Sequence, residues 1–319
     1  MSLIQQLRRV RLLVFYFTLS SGNGLIAAVQ APCVLSRDWS LVASQMPSAV
    51  SSANWQTVER LGVELTRVCP DSGLGFYWLG VALLRQERTF ASVRALRKAL
   101  QRSSDAPTHL ELAEAYFLLK QDRFFHEEIA AAVTLAPQDP EPYYVAGRYS
   151  YEVEDRFNVA ADYFEKALAL NSSHYKALTY LALSLQGMNR TAEAEAKFLE
   201  ASRIIERQRA QFDLPFQLLA SFYLEQGRPG DALPFAQRAV QMAPDSSSNY
   251  LVLGKVAWAR HEADTATDAL QKAISLDEGL VEARYLLAQI YKSRGETAKA
   301  ESELKAFAEF KELYGRPVR

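Results

Sequence analysis

The stretch NYLVLGKVAWARHEADTATDALQKAISLDEG, residues 249–279, decides the fold, because its small residues return at a fixed distance on either side. Ala266 stands 34 positions after Ala232 and 34 before Ala300. Seven residues beyond these come Ala239, Ala273 and Phe307. Upstream in each unit sits a Leu-Ala or Leu-Gly pair: Leu219-Ala220, Leu253-Gly254 and Leu287-Ala288. A fixed period of this length marks one supersecondary unit copied and stacked, so the chain reads as a solenoid rather than a globular enzyme core.

The pattern extends towards the N-terminus. Its first-helix pair recurs as Leu79-Gly80, Leu112-Ala113, Ala146-Gly147 and Leu181-Ala182. Its second-helix column recurs as Ala160, Phe164 and Ala167, then as Ala194, Phe198 and Ala201. Pro70, Pro137 and Pro244 close units where a continuing helix would clash with the preceding turn. Together these residues resemble the tetratricopeptide repeat (TPR) family, whose unit is a pair of antiparallel helices with a small residue at each crossing. The match covers roughly residues 73–310 as about seven units. The fold class this implies is an all-α, right-handed α-solenoid of helix–turn–helix units. The division expected is a signal peptide or N-terminal anchor at 1–31, a helical half-repeat or cap at 32–72, and the solenoid with a C-terminal capping helix at 73–319.

Two helices approach to about 8–10 Å only where the residues at their crossing are small. Gly254 with Ala266 supplies that gap in one unit, and Gly147 with Ala160 in another, while Leu253 and Leu270 fill the space beside them. A glycine inside a helix costs about 1 kcal/mol relative to alanine, so close packing is its justification. Leu251 is expected to be a partly exposed groove side chain. The spacing from Ala194 to Ala232 is 38, four more than the period. Four residues make about one helical turn, so the preceding second helix is expected to run on through Arg203–Gln211. Such an extension forms either an interaction ledge or a tolerated surface elaboration.

The N-terminus has another character. Arg8, Arg9 and Arg11 precede the apolar run Leu12–Leu19, and no acidic residue occurs before Asp38. Small residues follow at Ala27, Ala28 and Ala31, the order of a secretory signal. Ser20-Ser21-Gly22-Asn23-Gly24 breaks the run, short of the roughly 20 apolar residues of a spanning helix. Export to a periplasm or the exterior is expected, or anchoring if the segment is retained. The residues before Cys33, Gln30-Ala31-Pro32, do not resemble a lipobox. In an exported chain Cys33 and Cys69 are free to form a disulfide; the alternative is two unpaired buried thiols.

Composition excludes several classes. With 49% hydrophobic and 23% charged residues and a formal net charge of −1, the chain has ample material for a core. It has no Lys/Arg cluster to neutralise a nucleic-acid backbone, so no nucleic-acid partner is expected. His109, His126, His174 and His261 are dispersed without ligand spacing, and the cysteines form no CxxC pair, so no metal is expected. His126-Glu127-Glu128 lacks the second histidine of a metalloprotease helix. No phosphate-cradling glycine loop and no nucleophile elbow occurs, so neither a cofactor nor catalysis is expected. Asn171-Ser172-Ser173 and Asn189-Arg190-Thr191 match the N-glycosylation triplet, which matters only in a eukaryotic secretory pathway.

The resemblance implies that first helices line a concave groove. Helical spacing from the small-residue pairs places Tyr77, Trp78, Arg85, Glu111, Glu114, Phe117, Tyr144, Arg148, Tyr151, Thr179 and Tyr180 there, followed by Gln217, Ser221, Lys255, Trp258, Tyr285, Gln289 and Lys292. Aromatic and arginine side chains suit an interface, although Tyr144 and Tyr180 also suit packing between repeats. The family's carboxylate-gripping Lys and Asn positions hold Tyr77, Val81 and Glu111 here, so a chaperone-tail ligand is not expected. The function expected is a non-catalytic scaffold binding a peptide or partner helix, an exported adaptor in an envelope assembly. The alternatives are a self-associating structural protein, or an accessory subunit of a secretion or glycosyltransferase complex.

Overall fold

A computed structural model describes residues 37–314 of the chain, and those residues form helices joined by short turns, without strands. The segment 1–31, with its expected signal, lies outside the described residues, as does Cys33. None of the described helices is long and apolar enough to cross a membrane.

The described chain divides into two compact units, 37–188 and 189–314. The first begins with α1 (Arg37–Ala43), α2 (Met46–Ser51) and α3 (Trp55–Val68). Pairs follow: α4 (Gly73–Arg85) with α5 (Thr89–Leu100), α6 (Ala106–Leu118) with α7 (Asp122–Leu135), α8 (Pro140–Glu152) with α9 (Phe157–Leu170), and then α10 (Tyr175–Gly187). The second unit opens on α11 (Thr191–Gln208) and continues with three pairs. These are α12 (Leu214–Glu225) with α13 (Pro229–Met242), α14 (Ser247–Ala259) with α15 (Ala263–Leu276), and α16 (Val281–Ser293) with α17 (Thr297–Tyr314). The fold is the all-α solenoid of helix–turn–helix units that the 34-residue period implied.

Polar side chains start many of the first helices. Ser72, Asp105, Asp139 and Ser246 each accept a hydrogen bond from a backbone N–H of the first turn, satisfying a donor the helix cannot. A single residue of positive φ ends them. Glu87, Lys120, Asp155, Asn189, Gly227, His261 and Gly295 lie one repeat apart and all take the left-handed conformation. After α4, Glu87 N–H donates to Leu84 C=O at 3.0 Å and Arg88 N–H to Leu83 C=O at 2.9 Å, a Schellman closure.

At the crossings, each glycine faces a large side chain. A Cβ on Gly80 would stand 2.5 Å from Leu96 Cγ, on Gly147 2.6 Å from Phe164 Cε1, and on Gly254 2.7 Å from Leu270 Cγ. At the Gly147 crossing Phe164 joins the buried Ala160: the bulky residue of the second helix fills the space that the missing Cβ leaves. Nearer the N-terminus, Gly62 and Gly75 bring α3 and α4 together at backbone distance, with a Cβ on Gly62 falling 2.8 Å from Leu79 N.

Leu251 is placed differently from the sequence expectation. It is only 7% exposed and belongs to a core with Leu270, Leu287 and Ile290, because its helix face turns towards the next repeat. The long helix expected before the 38-residue spacing is present as α11, and it stops at Gln208 because Arg209 turns left-handed. Its last two turns, with Ser202 and Glu206, border a cleft of about 280 Å³ completed by Phe216, Phe235 and Arg238. At the N-terminal end, α1–α3 pack Val42, Met46, Leu61 and Leu65 together, with Trp39, Trp55 and Trp78 around them. Cys69, just beyond α3, is buried and disulfide-bonded.

Two stability outcomes follow from these contacts. Leu251→Ala should cost about 2–5 kcal/mol and Gly254→Leu about 1–3 kcal/mol, so both urea midpoints should fall; an unchanged midpoint for Leu251→Ala would contradict its burial. Conversely, Lys120→Gly and His261→Gly relieve non-glycine left-handed residues that face solvent, and each should raise stability by up to about 1 kcal/mol in the same assay.

Candidate functional site: the first-helix face

Within each unit, first helices touch one another. α4 meets α6, α6 meets α8 and α8 meets α10; in the second unit α12 meets α14 and α14 meets α16. Successive second helices make no comparable contact among the described residues. First helices therefore lie closer together than second helices, and each unit curves towards its first-helix face.

In the N-terminal unit the sequence-derived positions meet on this face as a ladder between helices. Arg85 Nη2 on α4 donates to Glu111 Oε1 on α6 at 2.9 Å. Arg148 on α8 reaches Glu114 Oε1 on α6 at 3.3 Å and Glu152 Oε1, one turn along its own helix, at 3.4 Å. Tyr180 on α10 donates its hydroxyl hydrogen to Glu152 Oε1 at 2.7 Å. Rings enclose the Arg148 guanidinium, whose carbon lies 4.9 Å from the centre of Phe117 and 5.8 Å from those of Tyr144 and Tyr180. Tyr151 packs its ring against Phe157 and Tyr180 and is buried, as is Thr179, whose hydroxyl donates to Tyr175 C=O. Tyr77 and Trp78 are half-buried, in edge-to-face contact with one another.

Burial sets the electrostatics. Desolvation works against the charge on Arg148, but Glu152 and Glu114 outweigh it and raise its pKa well above the ordinary arginine value. Desolvation raises Glu114 above its ordinary value, with Arg148 and Arg85 pulling it back. It also pushes the hydroxyls of Tyr77 and Tyr144 up, keeping both neutral. At the edge of the cluster His174 caps α10: its Nδ1 accepts from Ala177 N–H at 3.1 Å, so Nε2 carries the hydrogen that meets Glu141 Oε1 at 3.1 Å. Burial would raise Glu141, but that bond and the charge of Lys176 lower it. Desolvation lowers Lys176.

Glu152, Glu141, Lys176 and His174 were missed by the sequence reading. Glu152 was recoverable, since it stands four residues from Arg148 on one helix. The other three sit at helix starts, outside the register set by the small-residue pairs.

In the second unit the positions are more open and less joined. Lys255 Nζ pairs with Glu282 Oε1 at 2.5 Å. Trp258 is half-buried against the core of Leu270 and Leu287. Gln217 and Ser221 are half-buried, while Tyr285, Gln289 and Lys292 are exposed. No group of three or more His, Cys, Asp or Glu side chains among the described residues has the arrangement of a metal site.

No family model matches the chain, and no curated protein matches it. Solved structures do match in fold. The Cut9 subunit structure, from the Cut9–Hcn1 hetero-tetramer of the APC/C, aligns with a TM-score of 0.66 at 13% identity over 78% of this chain, which spans about half (48%) of that one. PilF of Pseudomonas aeruginosa aligns with a TM-score of 0.57 at 20% identity, covering 67% of this chain and 96% of its own. A tetratricopeptide repeat protein of Parabacteroides merdae aligns with a TM-score of 0.57 at 17% identity over 80% of this chain and 99% of its own. With the 34-residue period and the crossings described above, the chain has the fold of tetratricopeptide repeat proteins.

The ladder yields a pH-dependent prediction. Arg148→Met leaves Glu114 and Glu152 buried together without their shared cation, a loss of about 3–5 kcal/mol at pH 7. The carboxyl of Glu114, already raised, would rise further in the folded state. A raised folded-state pKa disfavours the fold above that value, and the penalty fades as the pH falls and the group takes up a proton. Urea unfolding should therefore show a smaller deficit against wild type at pH 5 than at pH 7.

Proposed function

We propose that this chain is a non-catalytic scaffold that holds a partner polypeptide against the first-helix face. The observation that carries the reading is the convergence of Arg85, Glu111, Glu114, Phe117, Tyr144, Arg148 and Tyr180 on successive first helices of one unit. Most of these groups are buried and fix one another, so the half-buried Tyr77, Trp78, Arg85 and Glu114 on the same face form a rigid surface with little side-chain entropy left to lose when a partner docks. No nucleophile activated by a neighbouring base stands among them, and the histidines of the unit serve as carboxylate partners and a helix cap.

The setting we propose is export, with the chain working as an adaptor in an envelope assembly. The support is the Arg8–Arg11 cluster before a short apolar run. Fold analogy adds to it: PilW, described as a type IV pilus biogenesis factor, aligns with a TM-score of 0.57 at 21% identity over 66% of this chain. Self-association is the weaker reading, because the exposed side of α17 is mostly polar: Glu301, Ser302, Lys305 and Glu309 face solvent, with Leu304 and Ala308 between them. A mostly polar face offers a second copy little apolar area to bury.

Site-specific photocrosslinking in the native host tests the scaffold. A benzophenone side chain at Trp78 or Tyr285 should capture one discrete partner, while the same group at Glu165, exposed on the second helix α9, should not. Capture from Glu165 alone would place binding on the other face. N-terminal sequencing of the mature protein tests export, and a cytosolic chain still beginning at Met1 or Ser2 would overturn it.

A further inference from the structure

Outside the ladder, the N-terminal unit holds a second chain of polar side chains. Ser104 lies in the loop between α5 and α6, His109 near the start of α6, and Glu128 on α7. The Nδ1 of His109 meets Glu128 Oε2 at 2.6 Å, and its Nε2 meets Ser104 Oγ at 3.0 Å. The ring and the carboxylate are mostly buried, with side-chain exposures of 14% and 18%, whereas Ser104 is exposed. Asp105 fixes the loop just after it, accepting from the backbone N–H and the hydroxyl of Thr108 at 2.9 and 2.8 Å.

The wiring sets the direction of each hydrogen. An ionised carboxylate only accepts, so Nδ1 carries the hydrogen of the neutral imidazole and Nε2 is left as the acceptor. Ser104 therefore donates its hydroxyl hydrogen to a base that a third group orients, the arrangement that activates a serine as a nucleophile. Joining α6 to α7 needs only the His109–Glu128 bond, and Ser104 adds nothing to that tie.

We propose that Ser104 is an acceptor for an acyl group from an activated donor, a thioester or an aryl ester. Its Oγ attacks the carbonyl carbon while its proton passes to His109 Nε2. The carbon–sulfur or carbon–oxygen bond of the donor then breaks, and the same proton leaves with the thiolate or phenolate. The products are a seryl ester and a free thiol or phenol. That ester persists, because its own leaving group is an alkoxide, far poorer than a thiolate or phenolate. Hydrolysing it calls for a preorganised site closed to water, and Ser104 is exposed. The event is a modification of the chain and not turnover, and it is independent of what the first-helix face binds.

The test exposes the full chain briefly to p-nitrophenyl acetate and locates the acetyl groups by fragment-ion mass spectrometry. Ser104 should be acetylated about a hundredfold faster than Ser172, which is exposed in the loop between α9 and α10. Ser104→Ala should abolish the label, and His109→Gln should slow it by about a hundredfold. Glu128 is a positioning residue. In Glu128→Gln the amide can donate to Nδ1, which moves the ring hydrogen to Nε2 and ends the bond from Ser104. Long-range 1H–15N NMR should then show Nδ1–H on His109 in the wild type and Nε2–H in that variant, together with slower labelling. Equal rates at Ser104 and Ser172 on the wild type, a comparison that needs no variant to fold, would overturn the proposal. So would a Ser104 rate unchanged in His109→Gln; the His109–Glu128 pair is then an interhelical tie alone.

Discussion

The repeat depends on one steric exchange. At Gly80, Gly147 and Gly254 the first helix gives up its Cβ, and Leu96, Phe164 or Leu270 of the second helix occupies the volume released. Helix axes can then approach closely while the large side chain is still buried in full, which joins two favourable terms that otherwise compete. Leu96, Phe164 and Leu270 are all completely buried. Everything outward from the crossing follows: the angle of each pair, the curvature towards first helices, and so which residues of α4, α6, α8 and α10 come within hydrogen-bonding reach.

The fold was legible because this exchange repeats. Small residues at fixed spacing name the crossing without any knowledge of contacts. The turns were not legible, for a local reason. Each first helix ends on a left-handed residue, yet glycine marks it only at Gly227 and Gly295; at the other five turns stand Glu87, Lys120, Asp155, Asn189 and His261. Asp155, Asn189 and His261 are of types that tolerate this conformation but occur widely elsewhere, and at Glu87 and Lys120 repeat geometry imposes it against propensity, so the sequence marks these turns weakly. The misplacement of Leu251 has a similar origin. A position read as groove-facing from one helix is covered by the next helix over, and a single-repeat pattern contains no information about its neighbour.

The ladder was legible as a face and illegible as a network. Spacing from the Leu-Gly pairs put Arg85, Glu111, Glu114, Arg148 and Tyr180 on one side of their helices. It gave no means of seeing that Arg148 bridges α6 and α8, since Glu114 stands 34 residues away and only the stacking of repeats brings it near. The same stacking takes these residues out of water. A helix face that reads as solvated on charge alone is here buried, because adjacent first helices close over it.

That burial changes what a charged groove means. A salt bridge on an open surface contributes little and exchanges freely with water. Arg148 has no such freedom: its exposure is 6%, it is held between Glu114 and Glu152, and rings stand over it. Replacing this ladder by apolar side chains of similar volume would serve stability as well or better, since buried ion pairs seldom repay their desolvation. What an apolar face cannot do is discriminate. A fixed array of buried donors and acceptors penalises every packing that leaves one of them unmatched, and the penalty grows as water is excluded. The ladder therefore makes sense as a frame that fixes how one first helix sits against the next, since each of its bonds can be made in one arrangement only.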